Sequence, residues 1–493
     1  MTTPETTRRI TAAEAWTVSA GGTAGLVATY WDDAWHTVRG RDSTFIPPHL
    51  LLYGSMALVG IALATWVVGA FLRLRSLRAL LATPGLALAV VAGITTAGAA
   101  PMDAVWHAAF GRDAVLWSPP HLLSVLATAV LVIAVLLGLP HESSPALRAA
   151  LAAVLLGAGE LVVLEYDTDV PQFSESLHLP LVVALGLGVA WIFRSVSGPR
   201  PRFAWSVLGY LTLRLAFLVV LAATGWIAPD LPIALLGLLL LDLPARTWPA
   251  RWPLAAMAVV ALQALASATG ISSVSLRPTL LAAALLVPVL MAVLVMSLFR
   301  NRAARTSAAL IILAAAAALA APPARAHDPG QGDEIATAEM SVHAQGDNGL
   351  AVQIRRFEAV STADVAPVRL LARRAGQTVS GPLARDDDTL GGTIQLPSSG
   401  LWLVYGELRV DDRAVEIWLP VQLDDPPATE RRPVYVPAGA ATRPASEYIA
   451  GAGLLAVGLG LVGWAAAAVR RRAAKERQQN EAERLRGVVA EPY

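Results

Sequence analysis

The chain has 493 residues, 55% of them hydrophobic and only 15% charged, whereas an aqueous globule carries about 25% charge, so an ordinary soluble domain is excluded. With 38 basic residues against 37 acidic ones, the net charge of +1 gives no basic surface for a nucleic acid. The absence of cysteine excludes disulfides, thiolate metal sites and thiol redox chemistry, leaving His, Asp and Glu as metal ligands.

Apolar runs long enough to cross about 30 Å of hydrocarbon recur along the first two thirds of the chain. They fall near 12–31, 50–72, 79–99, 121–139, 149–166, 179–195, 204–224, 231–243, 253–269, 279–299 and 307–321, with a last one at 447–469. The first, eighth and eleventh are the shortest or least apolar. Lys and Arg concentrate in cytoplasmic loops, which orients the set. If Arg8 and Arg9 are inside, alternate loops carry RLRSLR (73–78), RSVSGPRPR (194–202), Arg246 with Arg251, FRNRAAR (299–305) and the tail 470–486. The spacing therefore predicts about twelve transmembrane helices with both termini cytoplasmic.

Between the last two spans, from about 327 to 440, segments such as LAVQIRRF, GLWLVYGELRV and AVEIWLPVQL alternate or run apolar between Gly, Pro, Asp and Asn turns. This reads as one all-β sandwich on the extracytoplasmic side. Its approach ends in Ala324-Arg325-Ala326, a small-residue cleavage pattern just before His327; an alanine-rich span that stays attached is the favoured alternative. The predicted organisation is a polytopic membrane domain over 1–322, the β domain over 323–445, a C-terminal transmembrane helix over 446–470 and a basic cytoplasmic tail over 471–493.

Two segments of the membrane domain resemble each other. WDDAWHTVRGRDSTFIPPHLL begins at Trp31 and MDAVWHAAFGRDAVLWSPPHLL at Met102, offset by 71 or 72 positions (32 to 103, 36 to 107, 49 to 121). In the first, Asp32 and His36 are four apart and share one helix face. Pro47 and Pro48 then suit a first helical turn and place His49 at the mouth of the next span. The second copy offers Asp103, His107 and His121 in the same order. Two imidazoles and a carboxylate suit first-row metals such as Cu, Zn and Fe(II) and leave coordination positions open. For one copy, polar caps beside interfacial Trp31, Trp35, Trp106 and Trp117 would be the plainer reading. Two copies sharing Asp-x3-His, Gly-Arg-Asp and Pro-Pro-His favour ligands, because caps require no fixed spacing across a loop.

The run Asp32, Trp35, His36, Arg41, Asp42, Ser43, Phe45, Pro47 and His49 resembles the signature of the C subunit of the copper membrane monooxygenases, the particulate methane and ammonia monooxygenases. The resemblance implies copper, with Asp32, His36 and His49 as its catalytic ligands. It covers about 20 residues. In the second copy the gap from His107 to His121 is one residue longer, and Leu116-Trp117 replaces the Phe position. The end of the chain resembles the family's B subunit, whose β domain begins with a copper-binding His; His327 matches that residue. The family's paired His-x-His has no counterpart here, His343 being the other imidazole of the domain. A cupredoxin- or immunoglobulin-like sandwich is the expected fold of this domain.

Other polar residues fall in apolar surroundings. Glu160 in the fifth span and Arg214 in the seventh each cost about 2.5–3.5 kcal/mol to insert, which predicts an ion pair between them, with a proton or substrate path as the rival reading. The loop LEYDTDVPQFSESLH places Glu165, Asp167, Asp169 and His178 on the side of the triads, as a solvated acidic loop or a third metal site. His141 falls on the opposite side.

Together these readings predict a multi-pass protein of the cytoplasmic (inner) membrane that binds copper. The first functional expectation is an O2-dependent, monooxygenase-like oxidoreductase acting on a small apolar substrate. The alternatives are a non-catalytic copper-handling protein, with metal passing from His327 to the triads, and a Zn or Fe enzyme. The lipid bilayer is the expected partner, a homo-oligomer is allowed, and no nucleic acid is expected.

Overall fold

The computed structural model describes residues 8–39, 45–110, 116–140, 142–167, 175–197, 202–243, 250–298, 331–346, 348–374, 377–423, 426–437 and 445–489. The helices are α1 (Ala12–Arg39), α2 (Pro47–Leu74), α3 (Leu77–Leu81), α4 (Pro84–Phe110), α5 (Pro119–Gly138), α6 (Pro145–Glu160), α7 (His178–Ser197), α8 (Ala204–Ala223), α9 (Arg251–Thr269), α10 (Leu276–Leu298) and α11 (Ala445–Val489). Proline opens α2, α5 and α6, where the first turn has no use for its missing N–H. Ser144 caps α6 by accepting from the Leu147 N–H at 3.2 Å.

Among the described residues, nine helices are long and apolar enough to cross a membrane: α2, α4 to α10, and α11. The chain is thus a multi-pass membrane protein in its helical part. The predicted twelve spans are met differently at three places. α1 is a 28-residue helix, but Glu14, Asp32, Asp33 and its Gly and Thr residues make it less apolar than the other nine. The predicted span at 307–321 lies outside the described residues, as does His327.

The predicted span at 231–243 is a ten-residue 3₁₀ helix, Ile233–Asp242. It nevertheless joins the two ends of the bundle. Asp230 before it accepts from Ser273, just beyond α9, while Asp242 pairs with Arg194 near the end of α7 and accepts from the Ala204 N–H at the start of α8. A 3₁₀ helix rises about 2.0 Å per residue against about 1.5 Å for an α-helix, so ten residues reach further. Gly237 lets this segment lie directly on the α9 backbone, where any Cβ would collide with Val259 and Ala258.

The two ends of the bundle differ in chemistry. One gathers the C-termini of α1, α4, α8 and α9 with the N-termini of α2, α5, α7 and α10, and holds Asp32, Asp103, Glu175 and Asp230. There Trp35 of α1 stacks on Trp226 beyond α8, with ring centroids 5.2 Å apart. The other end is tied by arginines. Arg8 donates to the Trp66 carbonyl at 3.2 Å, Arg148 to the Val196 carbonyl at 3.1 Å, and Arg472 of α11 to the Leu137 carbonyl at 2.5 Å. The described parts of the basic loops, 73–78, 194–197, Arg202, Arg251 and the start of the tail, therefore share one end, and both metal-ligand copies occupy the other.

The β domain lies at the acidic end, where β8 contacts α1. Its nine strands are β1 (Gln331–Gln345), β2 (Gly349–Glu358), β3 (Val365–Arg374), β4 (Gln377–Gly381), β5 (Leu383–Asp386), β6 (Thr389–Gln395), β7 (Leu401–Val410), β8 (Arg413–Gln422) and β9 (Ala428–Pro437). They form one antiparallel sheet in the order β4-β3-β7-β8-β9-β1-β2-β6-β5, rather than two separate layers. The sheet curls until its edges meet, with Leu370 of β3 packed on Gly392 of β6. Because neighbouring side chains point to opposite faces, Trp402 and Val404 fill the interior with Ile354, Ile417 and Leu419. Tyr405, Trp418 and Tyr435 form a second buried cluster on the outer face, where Arg373 lies over Tyr405 at 4.6 Å and Arg432 over Trp418 at 5.1 Å. β8 lies against α1, so the β domain sits beside the helix that bears the first metal-ligand motif.

Candidate metal centre

The C-terminal turns of α1 and the first turn of α2 bring the first triad together. Asp32 and His36 are one helical turn apart on α1, and the proline-initiated turn of α2 presents His49 opposite them. Asp32 Oδ1 lies 3.3 Å from His36 Nε2 and 3.0 Å from His49 Nε2. One donor atom from each of the three residues falls within 4.8 Å of the others, and no other such three-residue group occurs among the described residues. Two ligands that each stand about 2.1 Å from a shared metal, at angles between a right angle and the tetrahedral value, are about 3.0–3.4 Å apart. The observed separations match that range.

The state of Asp32 supports the same fit. Its Oδ1 is buried and faces both imidazole nitrogens. Burial pushes the Asp32 carboxyl up, but His36 and His49 outweigh this and hold it well below the usual carboxylate range. An ionised carboxylate oxygen facing two ring nitrogens is a donor set for a first-row cation. Asp33, one position on, is pushed up to about 7 by burial and by the charge of Asp32, against the pull of Arg214.

The second copy is built alike from α4 and α5. Asp103 lies in the last turns of α4, and His121 follows Pro119 and Pro120 at the start of α5, with its Nε2 3.1 Å from Asp103 Oδ1. His107 lies one turn beyond Asp103 on α4; its side chain is outside the described portion. The structure therefore brings two of the three expected ligands of this copy together. The repeat alone does not reveal that the copies are neighbours. Tyr53 of α2 packs on His49, with ring centroids 5.9 Å apart, and feels the charge of both Asp32 and Asp103. Its spacing of four from His49 is the one signal in the sequence that could have found it; the second copy has Val125 there.

Two expectations about the remaining polar residues are corrected. Glu160 does not pair with Arg214. Arg214 donates from Nη2 to Asp167 Oδ2 at 2.9 Å and to the Asp230 carbonyl at 2.9 Å, because α6 continues as a 3₁₀ turn, Leu161–Tyr166, that carries Asp167 to it. The described acidic residues around it are not solvated: Glu165, Asp167, Glu175 and His178 are all buried. Glu165 accepts from the Leu116 N–H, in the loop that leads to His121, and Trp117 beside it donates to the Val162 carbonyl at 2.8 Å. His178 Nε2 stands 3.7 Å from Asp167, which is already committed to Arg214, so no third metal centre is assembled there among the described residues. Asp169 and His141 lie outside the described residues, and His343 is on β1, paired with Ala351 of β2.

Comparison of the chain with protein-family models, curated proteins and solved structures finds no match.

Proposed function

We propose that this chain is a membrane-bound metalloprotein holding copper at Asp32, His36 and His49, and that it acts as an O2-dependent, monooxygenase-like oxidoreductase on a small apolar substrate. The observation that carries this reading is the approach of one carboxylate oxygen to two imidazole nitrogens at 3.0 and 3.3 Å, on helices whose sequence spacing resembles a copper monooxygenase signature. Three protein ligands leave positions for an exogenous ligand, and copper bound there would supply one-electron and O2 chemistry. The chain's own contribution is to hold Asp32 ionised and to fix both rings near helix ends.

The end of the bundle bearing this centre and the β domain is assigned to the extracytoplasmic side of the cytoplasmic membrane, since the arginines gather at the other end. Copper handling is the second reading. It is favoured by the second Asp–His pair, close enough that the charge of Asp103 is felt at Tyr53 beside His49, an arrangement suited to passing a metal between sites.

Metal analysis and electron paramagnetic resonance of detergent-purified protein test both readings. Copper bound tightly in the native chain and lost in the His36→Ala/His49→Ala variant supports the centre. Oxidation of an apolar probe substrate with consumption of O2 separates catalysis from handling. Zinc or iron in place of copper, or unchanged metal content in the variant, overturns the copper assignment.

A further inference from the structure

A second group of buried polar residues meets in the helical bundle, and the Asp32 centre makes no use of it. Asp167 after the 3₁₀ turn of α6, His178 at the start of α7, Asp230 before the 3₁₀ helix Ile233–Asp242, Gln263 on α9 and Ser272 just beyond it line one enclosed cavity. It has room for a single water-sized occupant, and apolar side chains make up the rest of its wall. Asp167, Asp230 and Ser272 lie where the chain has left the α-helix. In membrane proteins such irregular backbone is confined to places buried in protein or lining a cavity, and transporters hold Na+ at it.

The walls are held in place. Asp167, His178 and Gln263 are each no more than 4% exposed, and the Tyr166 ring packs on His178 with centroids 5.6 Å apart. The loop that carries Ser272 is fastened twice. Ser273 gives its N–H and its hydroxyl to the Asp230 carboxylate, and Ser275 gives both of its own to Glu175, on the 3₁₀ turn Glu175–Leu177, at 2.9 and 3.2 Å.

The polar lining is rich in acceptors. Arg214 holds Oδ2 of Asp167 at 2.9 Å, while Oδ1 faces Nε2 of His178 at 3.7 Å, beyond hydrogen-bond reach. Nδ1 of the same ring is buried and has no hydrogen-bond partner among the described residues. Gln263 gives its amide hydrogens to Ser267 and Ser272, at 3.4 and 3.0 Å, which leaves its oxygen as an acceptor. Two carboxylates line the cavity, and no Lys or Arg does. Buried negative charge calls for a positive partner, so the matching occupant is a cation no larger than a water. A first-row metal does not match, because Asp167, His178 and Asp230 do not bring one donor each within 4.8 Å of the others, as the Asp32 triad does. Hard cations instead take oxygen ligands in flexible geometry.

We propose that this cavity binds one small monovalent cation, Na+ or K+, through oxygens of Asp167, Asp230, Gln263 and Ser272, with the His178 ring nitrogen beside them. The ion ties α7, α9 and the two 3₁₀ segments to one another. The site is separate from Asp32, His36 and His49 and stands whether or not those residues hold a metal.

Thermal unfolding of the full-length protein in detergent, with divalent metals removed by chelation, provides the test. At constant ionic strength, replacing choline chloride by NaCl or KCl should raise the unfolding midpoint as the logarithm of the cation concentration above Kd, because the ion binds the folded chain. The salt with the larger effect identifies the resident ion. Gln263→Leu and Ser272→Ala should each weaken the apparent affinity by about tenfold or more. If Gln263→Leu fails to fold, Gln263→Asn serves, since it keeps the amide and withdraws its oxygen. Equal midpoints in choline, Na+ and K+ would overturn the proposal. So would a cation effect that survives intact in the variants, because the ion would then bind elsewhere.

Discussion

Oδ1 of Asp32 on α1 stands 3.0 Å from Nε2 of His49 on α2, across a loop that separates two helices with no other reason to align a carboxylate and an imidazole. The proline-initiated start of α2 makes the contact possible, because it fixes the turn from which His49 projects. The same relation recurs between Asp103 and His121 at 3.1 Å.

Substituting the distal histidines ranks the two copies. Metal ligands must all be held close, and loss of one leaves an incomplete set. His49→Ala should weaken metal binding by about 100-fold or more, beyond the range of roughly 10–100-fold seen for supporting residues. His121→Ala should have the smaller effect, since its loop is one residue longer. Parallel titrations with Cu decide the order; equal losses would indicate equivalent or shared sites.

Acidification should release the metal. Each imidazole must shed a proton to bind, so affinity falls as pH falls, by up to about 100-fold per unit once both rings carry protons. Asp32 adds no step in that window, because His36 and His49 outweigh its burial and keep it ionised below the ordinary carboxylate range. Its folded value lies under its unfolded one. Its contribution to stability is therefore present above the unfolded carboxylate value of about 3.9 and is lost as pH falls through the folded value. Metal occupancy measured by equilibrium dialysis across pH should decline with a limiting dependence on two protons.

Arg214→Ala should destabilise the helical bundle by about 3–5 kcal/mol, the cost of leaving one member of a buried ion pair uncompensated. Asp167 would lose its partner, and the Asp230 carbonyl two donors. Thermal unfolding in detergent measures the loss, and Asp167→Asn with Arg214→Met together should recover part of it. An unchanged midpoint in Arg214→Ala would mean that the pair contributes nothing to the fold.

Reporter fusions check the orientation. Fusions after Arg78 and Arg202 should read as cytoplasmic, and fusions within the 348–374 part of the β domain as extracytoplasmic. A cytoplasmic β domain would move the Asp32 centre to the other side of the membrane with it, since both occupy one end of the bundle.

The sequence by itself determined the elements with strong local signals. Apolar runs of membrane length became α2 and α4 to α11, because the bilayer demands such runs from any spanning helix. Alternation between turn residues became the strands. The Asp-x3-His spacing placed two ligands on one helix face, and the Pro-Pro-His start placed the third, since both follow from helix geometry within a turn or two. What depended on distant chain segments was left to the tertiary structure. Arg214 pairs with Asp167 rather than Glu160 because a 3₁₀ turn after α6 redirects the chain, a choice of hydrogen-bond pattern that no hydrophobic period records. Glu165, Asp167 and Glu175 are buried with α7 packed on both turns that carry them and α10 on the second, whereas composition alone reads the same residues as solvated. The segment at 231–243 joins the two ends as a 3₁₀ helix only because Gly237 meets the backbone of α9. The sheet closes on itself through contacts between strands remote in sequence, such as β3 with β6. Tyr53 packs on His49 and feels the charge of Asp103 because α2 packs against α4, and that is a fact of packing alone.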